Sequence, residues 1–459
     1  MRKERRLGKK PLALLIGTAL WCAGSAPALA DGDRVEQLEA RVAELESLLR
    51  QLVTQHEADH QADAAMAQKA NAAAEAIKEE VATVAEKFKP VLDEQEKRKK
   101  HSFRFGGYIK TDVLFSDYSD GDIAIGSIGR DFYVPSTIPV GGEGESTDVD
   151  FHARQTRFYA GSSHLLDNGD ELASYLEFDF LVTPGGNERV SNSYLPRMRH
   201  AYLRYNNLLL GQTWNTFMDV ATLPETLDFV GPADSTTFGR QVMIRYSYNN
   251  FDIALENPET TVTPFGGGGQ IVSDDNLLPD LAARYTHKGD FGHIQIAALL
   301  RQLELEEEAL GVDDREVGWG LSLSGKFNLG KDDLRWMVTH GDGMGRYVGL
   351  NVSNGAVIDD NNQLEAISTT SGFLAYRHWW NDQWRSTAML SYMDIDNPTR
   401  FTGESVTDNV FSAHLNLLYS PTPPLTFGLE YIYAERELEN GQSGNMNRIQ
   451  FSGKYAFSF

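Results

Sequence analysis

Residues 317–327 have the sequence VGWGLSLSGKF, in which two kinds of residue alternate. The odd-numbered positions are apolar or glycine, and the even-numbered positions are glycine, serine or lysine. A period of two puts the two sets on opposite faces of a β-strand. The same alternation occurs in residues 294–300 and 425–433. These stretches predict strands that have one apolar and one polar face.

Over the rest of the chain, the same alternation predicts about sixteen strands. They lie at 103–116, 151–164, 171–183, 197–206, 207–213, 240–249, 250–257, 279–287, 291–303, 316–328, 332–341, 371–380, 383–394, 408–420, 424–436 and 446–459. Tight turns such as Asn206-Asn207 alternate strictly with longer connections. The long loops lie at 117–150, 214–239, 258–278 and 342–370. Short turns on one side, long loops on the other and aromatic residues near strand ends predict an all-β fold, a closed transmembrane antiparallel β-barrel.

The first thirty residues have a composition of their own. Six basic residues between Arg2 and Lys10 precede an apolar run from Leu12 to Ala23, and Ala28-Leu29-Ala30 follows. This order predicts a secretory signal peptide, residues 1–30, that is removed from the mature protein. The apolar run is shorter than the roughly 20 residues that a membrane-spanning helix needs, so we prefer the signal to an N-terminal anchor.

Composition excludes several classes of function. Removing residues 1–30 from the 459-residue chain leaves 36 basic and 64 acidic residues, a net charge near −28. Such an acidic chain is a poor partner for nucleic acid, whose phosphates need basic surface. The only cysteine, Cys22, lies in the predicted signal. We therefore predict no disulfide, no thiolate metal site and no cysteine nucleophile. We also expect no other metal site and no cofactor.

A helical period precedes the barrel. Apolar residues three and four positions apart form the a/d seam of a coiled coil: Val35, Leu38, Val42, Leu45, Leu49 and Leu52. We predict a coiled-coil segment at 31–55 that joins copies of the chain, then an Ala-rich helical stalk or linker at 56–101 and the barrel at 102–459. Valine at a and leucine at d favours two strands, so the seam does not itself specify a trimer.

If the apolar strand face meets lipid, the other face lines the lumen. Basic residues on the polar parity are Arg104, Lys110, Arg204, Arg245, Arg284, Arg301, Lys326, Arg335, Arg385, Arg448 and Lys454. The clear acidic residues there are fewer: Asp112, Glu177, Asp179 and Glu430. A basic lumen favours anions. The alternative is that these arginines pair with lumen or loop carboxylates and only maintain the cross-section of the barrel.

The loop at 214–239 is the predicted constriction, because long loops that fold into large barrels narrow the channel. Its carboxylates include Asp219, Glu225 and Asp228. We expect them to face the lumen arginines across the narrowest point and to set up a transverse field. The alternative is a loop that caps the rim of the barrel.

Four stretches resemble the DcaP-like outer-membrane porins. They are FRFGGYIKTD (103–112), DFYVPSTIPVGG (131–142), RQTRFYAG (154–161) and RMRHAYLRYNNLLLGQTWNTF continuing through PETLDFVGP (197–232). The N-terminal coiled coil is similar to that family too. The resemblance implies a trimer of sixteen-stranded barrels with periplasmic helices, and a channel that prefers small anions such as dicarboxylates.

The resemblance also implies channel roles for Arg154, Arg157, Arg199 and Arg204, and an inward position for residues 219–228. Strand alternation, however, gives Arg154 and Arg199 the parity of the outer face. For these two residues, strand alternation and the resemblance therefore predict opposite faces.

The predicted function is passive diffusion of small, anionic solutes through an outer-membrane porin. Its predicted partners are the lipid bilayer, other copies of the chain and small anions. The histidines are scattered and neither GxSxG nor HExxH occurs, so we predict no enzyme. Two alternatives are a structural or adhesive barrel with little transport and a sugar-selective porin. The latter needs an aromatic slide in the lumen, whereas most aromatic residues have the outer parity.

Overall fold

The computed structural model of the chain describes residues 31–58, 72–84, 86–87, 89, 100–182 and 190–459. The chain divides into two compact units, Met1–Lys100 and His101–Phe459. In the first unit, helix α1 spans Asp31–Ala58. The predicted signal peptide and the side chain of Leu52 lie outside the described residues. None of the helices in the described part of the chain is long and apolar enough to span a membrane.

The second unit is an antiparallel β-barrel, to which the described residues contribute sixteen strands. They are β1 His101–Tyr118, β2 Ser146–His152 with Arg157–Leu165, β3 Glu171–Asp179, β4 Arg197–Tyr205, β5 Leu208–Trp214, β6 Arg240–Tyr248, β7 Phe251–Glu256, β8 Asp280–Gly289, β9 Gly292–Glu307, β10 Val312–Leu329, β11 Asp332–Asp342, β12 Ser368–Trp379, β13 Trp384–Asp396, β14 Thr407–Thr422, β15 Leu425–Leu438 and β16 Ser443–Ser458. Each corresponds to one predicted strand, so the prediction of about sixteen strands is confirmed.

The barrel closes because β1 pairs with β16 on one side and with β2 on the other. Strand β2 is interrupted at residues 153–156, and its two halves pair with opposite halves of β1. A backbone that spans a bilayer must satisfy its hydrogen bonds internally, and a closed sheet has no unpaired edge. The closed barrel predicted from alternation is therefore confirmed.

The two ends of the barrel differ in their connections. At the turn end, where β1 begins and β16 ends, the strands are joined by two to five residues. At the loop end the connections are L1 (119–145), L2 (180–196), L3 (215–239), L4 (257–279), L5 (308–311), L6 (343–367), L7 (397–406) and L8 (439–442). The predicted strict alternation is wrong for L5 and L8, four-residue hairpins, because their flanking strands keep pairing beyond the wall.

Three loops fold into the barrel and form apolar clusters there. Phe132 of L1 and Val230 of L3 pack in one cluster with Ile432 of β15. Phe217 of L3 and Tyr347 of L6 belong to a second. The loop-end half of the lumen is therefore filled in the manner of a soluble protein core, which gives L3 a fixed position.

The outer face is apolar, as the alternation predicted. Leu321 and Leu323 of β10 are exposed on it. Toward the turn end, the rings of Phe105, Phe158 and Phe457 cluster with centroids 6.1 to 6.5 Å apart. An apolar band that ends in aromatic residues matches the hydrocarbon core and the interface of a bilayer.

Candidate functional site

L3 leaves the wall after β5 and runs along the inside of the barrel. Early in this run Arg284 of β8 donates a 3.0 Å hydrogen bond to the Met218 carbonyl. At its far end Lys110 of β1 donates a 2.6 Å bond to the Leu227 carbonyl. Between them, side chains of β9 to β16 also bond to the loop. L3 therefore crosses the lumen face of more than half of the wall.

Glu225 is the charged anchor of this run. Its carboxylate accepts a 2.6 Å bond from Arg385 of β13 and a 3.0 Å bond from Arg377 of β12. Burial alone would raise the pKa of Glu225, but the hydrogen bonds and charges of Arg385 and Arg377 outweigh it and lower the pKa to about 2. Glu225 is ionised at neutral pH and neutralises part of the arginine charge beside it.

Asp219 and Asp228 have a different role from the one expected. Asp219 Oδ2 lies 2.8 Å from His293 Nε2 and accepts a 2.9 Å bond from Ser324. Asp228 accepts backbone N–H groups of its own loop and, at 2.8 Å, that of Tyr133 in L1. Both aspartates are only 4% exposed. They shape and fasten L3 instead of facing arginines across an open gap.

The return run of L3 covers the wall nearer the loop end. Asp234 accepts bonds from Ser391 of β13 at 2.7 Å and Ser412 of β14 at 3.0 Å. Burial raises the pKa of Asp234 to about 6, even though the two hydroxyls lower it. The Ser235 carbonyl accepts a 2.9 Å bond from Ser371 of β12. We call the lumen face of β12 to β15, with L3 upon it, the covered wall.

On the other side of the lumen a β-bulge reorients β4. Its pairing with β3 shifts register between Met198 and His200. The bulge turns both Arg199 and His200 inward, and it leaves Arg204 inward as well. From the outer face of β5, Gln212 donates 3.2 Å bonds to the carbonyls of Met198 and Arg199. An extra residue in a strand reverses the parity, which resolves the conflict about Arg199.

The bulge brings together a set of basic side chains that we call the arginine cluster: Arg157, Arg197, Arg199 and Arg240. Arg199 lies 2.7 Å from Glu177 and 3.0 Å from Asp179. Arg197 lies 2.9 Å from Asp179, and Arg157 lies 3.5 Å from Glu177. Four guanidinium groups and two carboxylates give the cluster a formal net charge of +2.

Phe229 of L3 reaches into this cluster. The guanidinium carbons of Arg199, Arg197 and Arg157 lie 5.3, 5.7 and 6.0 Å from the centre of its ring. Cations at these distances are attracted to the face of an aromatic ring. The ring also packs edge-on against Phe132 of L1, 5.1 Å away. The tip of L3 therefore holds like charges together without adding a carboxylate.

A cavity of about 190 Å³ lies beside the cluster, between L3 and the wall. Lys110, Arg157 and Lys454 line it from β1, β2 and β16, opposite residues 225–229 of L3. Toward the turn end, the lumen face of β1 to β4 continues from this cavity with half-buried and exposed side chains. We call that surface the open wall.

The sequence matches the family model described as DcaP outer membrane protein over residues 50–457. The match includes nearly the whole barrel. The chain belongs to the DcaP outer membrane protein family. It is an outer-membrane porin, and the expected fold, family and location are confirmed. In such a barrel the turn end faces the periplasm and the loop end faces outward.

Solved structures are similar to this chain. The outer membrane channel DcaP of Acinetobacter baumannii is 22% identical, with 78% of this chain and 98% of that chain covered and a TM-score of 0.66. OmpT of Vibrio cholerae is 10% identical, with 78% and 98% covered and a TM-score of 0.48. An anion-selective porin from Comamonas acidovorans is also 10% identical, with 78% and 100% covered and a TM-score of 0.48. A comparison with curated proteins finds no match.

Other basic residues predicted to line this DcaP-family channel lie near the periplasmic end. Arg204 is exposed and lies 2.6 Å from Glu171. Lys326 and Arg335 lie 3.9 and 2.6 Å from Asp333. Each of these cations has a carboxylate partner, so each adds less to the field in the lumen than its formal charge implies.

Three further predicted arginines are held under loops. Arg245 is 8% exposed and donates a 3.0 Å bond to the Thr216 hydroxyl. Arg284 lies 2.7 Å from Asp252. Arg301 has a side chain with no exposed surface, and it donates to carbonyls of L6. Their inward direction follows from alternation, and each also contacts a loop, since Arg284 donates to the Met218 carbonyl of L3.

Sequence reasoning missed Arg197, Arg240 and Arg377 as lumen residues. Arg377 shares its parity with Phe373, an apolar residue that is buried inside the barrel, so the inward face of β12 did not look polar. Arg154 lies in the interruption of β2, where alternation does not apply, and bonds to Asp131 at 2.9 Å. Irregular strands therefore account for Arg154 and Arg197, whereas Arg377 lies on the regular strand β12.

Proposed function

We propose that this porin lets small anions, dicarboxylates among them, diffuse passively across the outer membrane. The observation that carries the proposal is the arginine cluster, with four guanidinium groups against the carboxylates of Glu177 and Asp179. Fixed positive charge in a narrow lumen with walls of low dielectric constant concentrates anions and repels cations. Lys454 supplies a further cation at the cavity, so a solute with two carboxylates has two places to bind.

The proposed lining of the channel follows the contacts. It contains Arg157, Arg204, Lys326, Arg335, Arg385, Glu177 and Asp179, with Arg197, Arg199 and Arg240 added. Arg245, Arg284 and Arg301 are left out because they bond to hydroxyl or carbonyl oxygens of L3 and L6. Arg199 is included, although it is only 1% exposed, because it belongs to the arginine cluster. In this proposal Glu225 of L3 sets how much of the charge of Arg385 a solute meets.

The reversal potential of the purified protein in a KCl gradient tests the proposal. The variant Arg157→Gln with Arg240→Gln takes the formal charge of the cluster from +2 to 0 and keeps the ion pairs of Arg197 and Arg199. Wild type should be anion-selective, and the variant should lose most of that preference. As a control, Lys331→Gln removes a charge from an exposed turn and should leave the reversal potential unchanged. A cation-selective or silent wild type would contradict the proposal.

We propose in addition that three copies assemble. The support for three copies is the family resemblance. The seam of α1, where Val35, Leu38, Val42, Leu45 and Leu49 recur on one face of the helix, supports association of the copies without fixing their number. Chemical cross-linking of the protein in outer-membrane vesicles should yield a species of three chains. A dimer, which valine at a and leucine at d favours on side-chain rules alone, would contradict it.

A further inference from the structure

Three tyrosine rings stand side by side on the open wall. Tyr175 of β3 stacks on Tyr159 of β2 with ring centres 5.7 Å apart, and on Tyr202 of β4 with centres 5.6 Å apart. The planes of each pair lie within 24° and 29° of parallel. We call these residues the tyrosine row.

The row faces the lumen, because each member lies two residues from a lumen side chain on a regular strand. Tyr159 follows Arg157, Tyr175 precedes Glu177, and Tyr202 precedes Arg204. All three tyrosines are half-buried. Solvent, or a solute in the lumen, can therefore reach the rings.

Glycines on the neighbouring strands let the rings lie close to the wall. A Cβ atom on Gly106 would come within 2.5 Å of the Tyr159 hydroxyl, and one on Gly161 would come within 3.4 Å of the Tyr175 ring. The Tyr159 and Tyr175 rings therefore lie across backbone that carries no side chain. Covering glycine in this way strengthens a sheet. The three neighbouring rings also form one aromatic surface on the lumen side.

Cations lie on both sides of the row along the channel axis. Toward the outside, Arg157 and Glu177 occupy the next lumen positions of β2 and β3, at the edge of the arginine cluster. Toward the periplasm, Arg104 pairs in register with Gly161, and Arg204 pairs with Ala173. Both of these arginines are exposed. A solute that lies across the row, parallel to the channel axis, has a guanidinium group near each of its ends.

We propose that the tyrosine row is a stacking subsite that makes the channel prefer flat aromatic anions, above all those with carboxylates at opposite ends of the ring. This inference rests on the proposed anion channel and specifies its substrate class. A planar ring stacks on tyrosine at low conformational cost, and aromatic pairs gain about 0.5 to 1.5 kcal/mol beyond the area that they bury. Each carboxylate meets arginine, which binds it through paired N–H groups.

The test compares two dianions of similar size in single-channel recordings. Benzene-1,4-dicarboxylate has a flat aromatic ring, and trans-cyclohexane-1,4-dicarboxylate has the same connectivity without π electrons. In wild type, the aromatic dianion should block the current with a binding constant about 3 to 10 times that of the cyclohexane compound, the range that one aromatic pair provides.

Variants test whether the tyrosine row causes the preference for the aromatic dianion. Tyr175→Leu should lower the binding constant of the aromatic dianion to that of the cyclohexane compound and leave the latter unchanged. Tyr175→Phe keeps the ring and should keep the preference. Tyr285→Leu, a change to an exposed tyrosine on the outer face of β8, is the matched control. Heat-dependent mobility on a gel confirms that each variant is folded.

The possible failures are distinguishable. An anion-selective wild type that binds both dianions equally overturns the stacking subsite and leaves the proposed function intact. If Tyr175→Leu lowers the binding constants of both dianions equally, the stacking subsite is overturned too, because Tyr175 then has a structural role only. Block by a neutral oligosaccharide at lower concentration than by the aromatic dianion would show a sugar slide and also overturn it. A cation-selective wild type contradicts the proposed function itself.

Discussion

The covered wall and the open wall of the lumen are made of the same alternating strands, yet their inward side chains differ in how much solvent reaches them. Ser391 and Ser412 on the covered wall are 3% and 0% exposed because L3 lies on them. Tyr175 on the open wall is half-buried. On the covered wall Arg385 is bound by Glu225 of the loop, whereas arginine outnumbers carboxylate in the cluster. Alternation decides which side chains point inward, and the loop decides which of them a solute meets.

The largest expected effect comes from breaking the covered wall at its anchor. Glu225→Gln leaves Arg377 and Arg385 without their shared carboxylate. Removing one partner of a fully buried ion pair costs about 3 to 5 kcal/mol. Because the Glu225 side chain is 27% exposed and Arg377 keeps Asp333 as a partner, the free energy of unfolding in urea should fall by about 3 kcal/mol, the lower end of that range. The anion-to-cation permeability ratio should rise, because two arginines lose a neutralising charge.

Glu259→Gln is the control for this prediction. Glu259 is 41% exposed and lies 3.7 Å from Arg346 in the loop region. Exposed ion pairs contribute about 0 to 1 kcal/mol, so Glu259→Gln should lower the free energy of unfolding only slightly. Equal losses in the two variants would show that Glu225 does not anchor L3.

The next effect concerns pH and the return run of L3. The pKa of Asp234 rises from 3.8 to about 6 in the folded protein, a difference of about 3 kcal/mol at 1.36 kcal/mol per unit. Since the folded state favours the protonated acid, its stability should fall as the pH rises from about 4 through 6. The melting temperature of Asp234→Asn should fall less over this range. Identical pH profiles of the melting temperature in wild type and Asp234→Asn would show that Asp234 does not cause this pH dependence.

A smaller effect should come from the bulge of the open wall. Gln212→Leu leaves the carbonyls of Met198 and Arg199 without their side-chain donor. An unsatisfied polar group costs about 1 to 3 kcal/mol, and the variant should also lose part of its anion selectivity as Arg199 loses its fixed direction. Leu210→Met on the same face of β5 should change neither. Unchanged reversal potentials in Gln212→Leu would show that the bulge holds without Gln212.

The smallest effect on either wall should follow deletion of residues 31–100. Strand pairing begins at His101, and the contacts of both walls lie within the barrel unit. Heat-dependent gel mobility and the reversal potential should therefore match those of the full chain. Loss of membrane insertion would mean that the barrel needs the N-terminal unit in order to fold.

The sequence predicted the sixteen strands because the period of two persists through nearly all of them. It also predicted that L3 turns inward, since its proline, acidic and apolar residues are those of a packed segment. It missed Arg197 and left Arg199 in conflict, because a single bulge between Met198 and His200 reverses the parity of β4. Arg240, the first residue of β6, was missed as well. Side-chain parity extrapolates along a strand only while its pairing is regular.

The sequence by itself therefore determined the closed barrel, the outer membrane as its location and the inward face of the regular strands. Each follows from local period and composition, which a bilayer constrains strongly. Only the tertiary structure decided that Glu225 binds Arg385, that Asp219 and Asp228 fasten L3, and that Tyr159, Tyr175 and Tyr202 form one surface. Those contacts join residues far apart in the chain, and their geometry depends on how a loop packs inside a closed wall.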